Sequence, residues 1–146
     1  MPPRQPTRHL GYAFFDHSVW RVVRFRESTE RISHPMAEAL ELTPRELQAR
    51  LEAGDRMVII DVREPEELAL SRLEGAVPIP MQSVPAELQK LEALSDESDL
   101  AVLCHHGVRS LNVVAWLRQH GIENCFSVTG GIDRWSVEID PSVPRY

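Results

Sequence analysis

A buried strand, a polar loop and the start of a helix follow one another in a single stretch, Leu100-Ala101-Val102-Leu103-Cys104-His105-His106-Gly107-Val108-Arg109-Ser110. The apolar run before Cys104 predicts a β-strand, and residues 110–120 predict an α-helix. A cysteine between such a strand and helix lies where backbone N–H groups of the loop converge. These donors and the positive end of the helix dipole stabilise an anion. We therefore predict that Cys104 reacts as a nucleophilic thiolate.

The alternative interpretation of Cys104 is a small buried hydrophobic residue, which is how most free cysteines behave. The residues that follow it argue against this, because histidine, glycine and arginine are poor core residues. Cys104 is therefore expected to end its strand at a polar surface. Cys125, which lies inside an apolar strand pattern, is interpreted as unreactive core.

Strand and helix patterns alternate along the chain beyond residue 40. The predicted strands are 40–42, 57–62, 75–80, 100–103 and 125–128, and the predicted helices are 44–53, 64–70, 85–94, 110–120 and 130–135. The first helix has the strongest start signal, since Thr43, Pro44 and Glu46 form an N-cap, a first-turn proline and a capping box. This alternation predicts an α/β fold with a central parallel sheet flanked by helices. Ligands of such sheets bind beyond the carboxyl ends of the strands, where Cys104 falls.

Composition excludes several classes of function. The chain has 146 residues, enough for one domain with a substantial core, and its formal net charge of -6 disfavours nucleic-acid binding. No apolar stretch approaches the roughly 20 residues of a membrane span. Two cysteines do not make a disulfide framework, which favours a reducing compartment, so we expect a cytoplasmic protein.

The charge balance changes near Pro35. Residues 1–38 contain six arginines and four acidic residues, whereas the remainder is strongly acidic. We therefore divide the chain into an N-terminal extension without an assigned role, residues 1–35, and a main domain, residues 36–146. The apolar segments 12–15 and 19–25 of the extension fit either a β-hairpin or an amphipathic arm.

Three stretches in order carry a family resemblance. They are Ile60-Asp61-Val62-Arg63-Glu64-Pro65-Glu66-Glu67 followed by Gly75-Ala76-Val77-Pro78-Ile79-Pro80, then the loop Cys104-His105-His106-Gly107-Val108-Arg109-Ser110, then Gly130-Gly131-Ile132-Asp133-Arg134-Trp135. In this order and spacing they make the chain, from about residue 40 to residue 146, resemble a single-domain rhodanese of the thiosulfate-type sulfurtransferase family. The resemblance implies a rhodanese-like α/β fold.

The resemblance also implies a chemistry and a set of site residues. Cys104 matches the cysteine that becomes a persulfide, and the substrate-binding loop is matched by His105, His106, Gly107, Val108 and Arg109. The implied donor is thiosulfate or a similar small sulfur compound, and the implied acceptor is cyanide, a thiol or a protein. No metal or organic cofactor is implied, because the persulfide itself carries the sulfur. Arg109 is expected either to contact the substrate or to brace the loop.

Sulfur transfer has two alternatives: catalysis as a cysteine-dependent phosphatase or arsenate reductase, and a non-catalytic role as an interaction module. Cysteine-dependent phosphatases and arsenate reductases use a Cys-x5-Arg loop, whereas Cys104 and Arg109 form a shorter Cys-x4-Arg loop. A non-catalytic interaction module of the same fold is the other alternative, and an intact Cys104 disfavours it.

A metal site at His105 and His106 is disfavoured because adjacent residues rarely converge on one ion. Asp61 and Arg63 are interpreted as structural, with Glu74 as a candidate partner for Arg63.

Overall fold

The computed structural model describes residues 39–146, so the predicted extension and its boundary near residue 35 lie outside the described residues. The strands are β1 Glu41–Leu42, β2 Met57–Asp61, β3 Val77–Pro78, β4 Asp99–Leu103 and β5 Cys125–Val128. The helices are α1 Pro44–Glu52, α2 Pro65–Leu70, α3 Leu88–Glu97, α4 Val108–Gln119 and α5 Gly131–Glu138, with a short 3-10 turn, Met81–Ser83, ahead of α3. Over these residues, none of the helices combines the length and apolarity needed to cross a bilayer.

All five strands join one parallel sheet in the order β1-β5-β4-β2-β3. The predicted α/β class with a central parallel sheet is therefore confirmed. Strand β4 lies in the middle, where Leu103 pairs with Asp61 of β2 and Val102 pairs with Ser127 of β5. The chain leaving β4 therefore emerges at the carboxyl edge of the sheet with β2 and β5 on either side, which is where ligands of such sheets bind.

The uninterrupted apolar run of β4 is explained by burial on both faces of the sheet. Successive side chains of a strand point to opposite faces, so Leu100 and Val102 join one apolar cluster while Ala101 and Leu103 join the other. Helix α4 covers the first face, with Val114 and Leu117 buried there. Close packing on both faces fixes the point in the sheet at which β4 ends, and therefore the position of Cys104.

The largest difference from the predicted elements is the start of α3. A helix was predicted from Pro85, but α3 begins at Leu88 and continues to Glu97. The preceding residues form turns, in which the Glu87 N–H donates to the carbonyls of Ser83 and Val84. Val84 is buried in the core by this turn, so the packing of one apolar side chain delays the helix by about one turn.

The capping box of α1 is present as predicted. The Glu46 N–H donates to Thr43 Oγ1 at 3.2 Å, and the Thr43 N–H donates to Glu46 Oε2 at 2.7 Å. We predict that Thr43→Ala lowers the free energy of unfolding by about 1 kcal/mol, because a helix N–H loses its acceptor. Urea unfolding measures this, with Thr43→Ser as the variant that keeps the cap. Equal loss in both variants would contradict the assignment of the effect to the cap.

Candidate active site

Cys104 lies immediately after β4 and is 1% exposed. Its Sγ accepts a hydrogen bond from the Gly107 N–H at 3.0 Å, and the Ser110 hydroxyl lies 3.3 Å from the same sulfur. Both contacts come from the loop and the first turn of α4, where the helix dipole is positive. The sulfur therefore has a backbone N–H donor and a neighbouring hydroxyl that can also donate to it, an arrangement suited to holding negative charge.

The loop depends on two close backbone approaches. Gly107 caps α4 with a φ of 98°, and a Cβ on it would lie 2.9 Å from the Gly130 nitrogen. Gly131 lies under the other end of the loop, where a Cβ would overlap the carbonyl oxygens of Cys104 and His105. Contact with the cysteine loop therefore explains Gly131, whereas a Cβ on the neighbouring Gly130 would meet the Arg134 side chain.

Helix α5 holds the loop from below. The Ile132 N–H donates to the Cys104 carbonyl at 2.9 Å, and the Asp133 N–H donates to the His105 carbonyl at 3.2 Å. The first N–H groups of a helix have no partner within the helix, so they are available for these bonds. With its carbonyls turned towards α5, the loop presents the Gly107 N–H to the sulfur.

Arg109 forms a two-point ion pair with Glu67 of α2. Its two terminal nitrogens donate to the two carboxylate oxygens at 2.7 Å each. The guanidinium lowers the pKa of Glu67 to about 2, and the carboxylate raises the pKa of Arg109. This contact ties α4 to α2 and supports the bracing role. The Arg109 side chain is nevertheless 34% exposed, so contact with a substrate stays a prediction.

Asp61 and Arg63 form a buried ion pair beneath the loop. Arg63 donates to Asp61 Oδ2 at 2.7 Å and to the Ser71 carbonyl at 2.8 Å, and both charged side chains are at most 1% exposed. The structural interpretation of the pair is therefore supported. The suggested partner Glu74 is wrong: a fully buried guanidinium needs acceptors that are buried with it, and Glu74 is exposed.

The two histidines of the loop are stacked with an aromatic residue. The His105 ring lies between the rings of His106 and Tyr146, with centroids 3.8 Å and 4.1 Å away. Burial and the neighbouring His106 lower the pKa of His105, which favours its neutral form at neutral pH. Tyr146 also accepts a hydrogen bond from Arg63 and donates one to Glu67, so its hydroxyl joins both ion pairs.

The structure places some of the predicted site residues at the sulfur of Cys104 and others on the exposed side of the loop. Cys104 and Gly107 meet at the sulfur, His105 lines the loop beside Tyr146, and His106 and Val108 are exposed at its outer side. Sequence reasoning did not select the other residues that contact this site, namely Glu67, Ser110, Ser127 and Tyr146. Glu67 and Ser110 stood inside the quoted motifs, whereas nothing local marked Ser127 or Tyr146.

Cys125 has a different environment from Cys104. It is fully buried in β5, its Sγ donates to the Ile122 carbonyl at 3.2 Å, and burial raises the pKa of its thiol. This is the environment expected of an unreactive core cysteine.

The Glu67–Arg109 ion pair predicts a specific loss of stability in acid. The pKa of Glu67 is lowered from 4.5 to about 2, so its stabilising contribution is complete above about pH 4.5 and is lost as the pH falls towards 2. We predict a smaller fall in the midpoint of thermal unfolding between about pH 5 and pH 2.5 for Glu67→Gln than for the unchanged chain. Glu66→Gln, at an exposed neighbouring position, should keep the full fall. Parallel pH profiles for the Glu67 and Glu66 variants would contradict this prediction.

The structure combines a parallel five-stranded sheet with a buried cysteine at the carboxyl end of its central strand. Comparison with family models identifies the class of protein that has this arrangement. The Rhodanese-like domain family model matches residues 43–138, more than half of the chain. This chain belongs to the rhodanese-like domain family.

Curated relatives extend the match beyond the motif residues. The chain is 34% identical to the putative sulfurtransferase YtwF of Bacillus subtilis over 71% of its own length and 97% of the relative's. It is 36% identical to the thiosulfate sulfurtransferase GlpE of Haemophilus influenzae over 65% of its own length and 86% of the relative's. Other relatives are longer. The chain spans 31% of a chloroplastic Rhodanese-like/PpiC domain-containing protein from Arabidopsis thaliana, to which it is 37% identical.

Solved structures show the same fold. The human single-domain sulfurtransferase TSTD1 superimposes with a TM-score of 0.60 at 26% identity, covering 68% of this chain and 97% of that one. This chain therefore shares its fold with a single-domain sulfurtransferase of known structure.

Proposed function

We propose that this chain is a sulfurtransferase that carries a sulfane sulfur on Cys104 as a persulfide. The observation that carries the proposal is the hydrogen bond from the Gly107 N–H to the buried Cys104 Sγ, at the carboxyl end of the central strand. Such a donor is already oriented when negative charge develops on sulfur, which is electrostatic preorganisation. Relatives named as sulfurtransferases, YtwF and GlpE, support the same chemistry.

The proposed reaction has two steps. In the first, the Cys104 thiolate attacks the outer sulfur of thiosulfate, the S–S bond of the donor breaks, and sulfite leaves with the bonding electron pair. In the second, an acceptor attacks the outer sulfur of the persulfide, and the electron pair of the S–S bond returns to Cys104 Sγ. With cyanide the product is thiocyanate, and a thiol or a protein is the proposed acceptor in the cell.

The remaining loop residues are proposed to bind the donor. His105, His106, Gly107, Val108 and Arg109 follow Cys104 in the loop and would contact the part of the donor that leaves. The guanidinium of Arg109, which has N–H groups besides those bonded to Glu67, would provide positive charge for an anionic leaving group such as sulfite. The proposed chemistry requires Cys104 to stay reduced, which supports a reducing compartment such as the cytoplasm as its location.

The phosphatase alternative is disfavoured by the length of the loop. Cysteine-dependent phosphatases use a Cys-x5-Arg loop, whereas only four residues separate Cys104 from Arg109. The non-catalytic alternative is disfavoured by the donor at Cys104 Sγ, which a binding module would not need.

The mass of the intact chain after reaction with thiosulfate tests the proposal. We expect the addition of one sulfur atom on Cys104 with release of one equivalent of sulfite, and its removal by cyanide as thiocyanate. Hydrolysis of p-nitrophenyl phosphate, measured in parallel, should stay at the uncatalysed rate. Absence of added sulfur after treatment with thiosulfate and with a small persulfide would overturn the proposed function.

A further inference from the structure

A pair of buried serines lies behind the reactive sulfur. The Ser110 hydroxyl is 3.3 Å from Cys104 Sγ and 2.7 Å from the hydroxyl of Ser127. Ser110 belongs to the first turn of α4, whereas Ser127 belongs to β5, the strand next to β4. Both serines are completely buried. Two hydroxyls from separate elements thus form a chain of hydrogen bonds that ends at the nucleophile.

The hydrogen bonds of this pair have more than one arrangement. The Gly107 carbonyl lies within 3.2 Å of the Ser110 hydroxyl and 3.5 Å of the Ser127 hydroxyl, so each serine has a second acceptor. Each hydroxyl has a single proton and can rotate it between its acceptors. The proton of Ser110 can therefore point to the sulfur or to the Gly107 carbonyl without movement of a heavy atom.

We propose that Ser110 is a catalytic residue that donates a hydrogen bond to Cys104 Sγ when this atom is anionic, and that Ser127 is a positioning residue acting through Ser110. When the Ser110 proton points to sulfur, its oxygen becomes the acceptor for the Ser127 hydroxyl. Hydrogen bonds in such a chain polarise one another, so the Ser127 bond strengthens the one at the sulfur. In its catalytic meaning this inference rests on the proposed sulfurtransferase function.

The charge on Sγ changes during the proposed cycle, and rotation of the Ser110 hydroxyl can follow this change. In the free thiolate, Sγ carries the negative charge and accepts from Ser110. In the persulfide, Sγ is bonded to the outer sulfur, which carries the charge, so the Ser110 proton can return to the Gly107 carbonyl. When the acceptor attacks the outer sulfur, the S–S electron pair moves to Sγ and Ser110 donates to it again. The pair therefore stabilises Cys104 as a leaving group in the second step.

The test measures the rate of alkylation of Cys104 by iodoacetamide as a function of pH, using the full chain. This reaction reports the thiolate without requiring sulfur transfer. We expect Ser110→Ala to raise the pH of half-maximal rate by about one unit, because a hydrogen bond to an anion is lost. Ser127→Ala should raise it by about half a unit, through the weakened Ser110 bond. The double variant should match Ser110→Ala alone, since in the proposed chain of hydrogen bonds Ser127 acts on the sulfur through Ser110.

A matched control is available in α5. Ser136 is also buried, and its hydroxyl donates to the Val143 carbonyl, away from the loop. Ser136→Ala should lose comparable stability and leave the alkylation profile unchanged. Ser127→Thr keeps the hydroxyl and should restore the profile, which separates hydrogen bonding from packing. If Ser127→Ala is poorly folded, the shift in Ser110→Ala, measured against the unchanged profile of Ser136→Ala, decides whether a hydroxyl acts on the sulfur.

Several results would overturn the inference. These are an unchanged profile in folded Ser127→Ala, additive shifts in the double variant, or a shifted profile in Ser127→Thr. Sulfur release to cyanide from the preformed persulfide provides the second readout, and it should slow in the order of the alkylation shifts. Failure to form any persulfide, with the alkylation shifts as expected, would overturn the proposed function and leave the role of the serines in thiolate stabilisation standing.

Discussion

Cys104→Ser should abolish transfer of sulfur from thiosulfate to cyanide while the chain stays folded. The serine hydroxyl is a weak nucleophile at neutral pH and cannot form a persulfide, so we expect a loss of about three orders of magnitude or more. The fold should survive, because Cys104 is replaced by a residue of similar size that can accept the Gly107 N–H. The measurements are the steady-state rate of thiocyanate formation and the midpoint of thermal unfolding.

Cys125→Ser is the control for this experiment. Cys125 is fully buried in β5, and a serine there can still donate to the Ile122 carbonyl. We expect this variant to retain most of the activity, although burial of a hydroxyl lowers its stability by about 1 kcal/mol. If both variants lose activity to the same extent, Cys104 is not the sulfur carrier.

Gly131→Ala should cause the largest loss of stability among single-methyl changes at the site. A Cβ at this position would overlap the carbonyl oxygens of Cys104 and His105, which are backbone atoms that accept bonds from the start of α5. Either α5 or the cysteine loop must move, and the Ile132 and Asp133 hydrogen bonds to the loop are then weakened. We expect a loss of about 3 kcal/mol or more, from overpacking together with left-handed backbone strain.

Gly54→Ala separates the two causes of that loss. Gly54 also has a positive φ, 81° against 62° at Gly131, but a Cβ on it would meet nothing within 4 Å. The control should therefore lose about 1 kcal/mol, the cost of the left-handed conformation alone. Urea unfolding gives both values, and alkylation of Cys104 shows whether the loop has moved. Equal losses in the two variants would mean that the contact between α5 and the loop is unimportant.

Local patterns were sufficient for most of the elements and for selecting Cys104 as the proposed nucleophile. The capping box at Thr43 involves residues three positions apart, and the strand-loop-helix around Cys104 lies within one continuous stretch. Interactions of this range repeat wherever the same residues occur, so they can be recognised without a fold. The start of α3 was missed because it depends on the burial of Val84 against another element.

The partners of the loop residues were decided by tertiary structure. Arg109 bonds to Glu67 across 42 residues, Ser110 to Ser127 across 17, and Tyr146 to Glu67 across 79. Nothing in the chain near Arg109 distinguishes Glu67 from the neighbouring acidic residues Glu64 and Glu66. Only the packing of α2 against α4, and the order of strands in the sheet, brings one carboxylate and one hydroxyl within bonding distance. The sequence thus places the proposed nucleophile, Cys104, at the carboxyl edge of the sheet, and the fold determines which groups contact its sulfur.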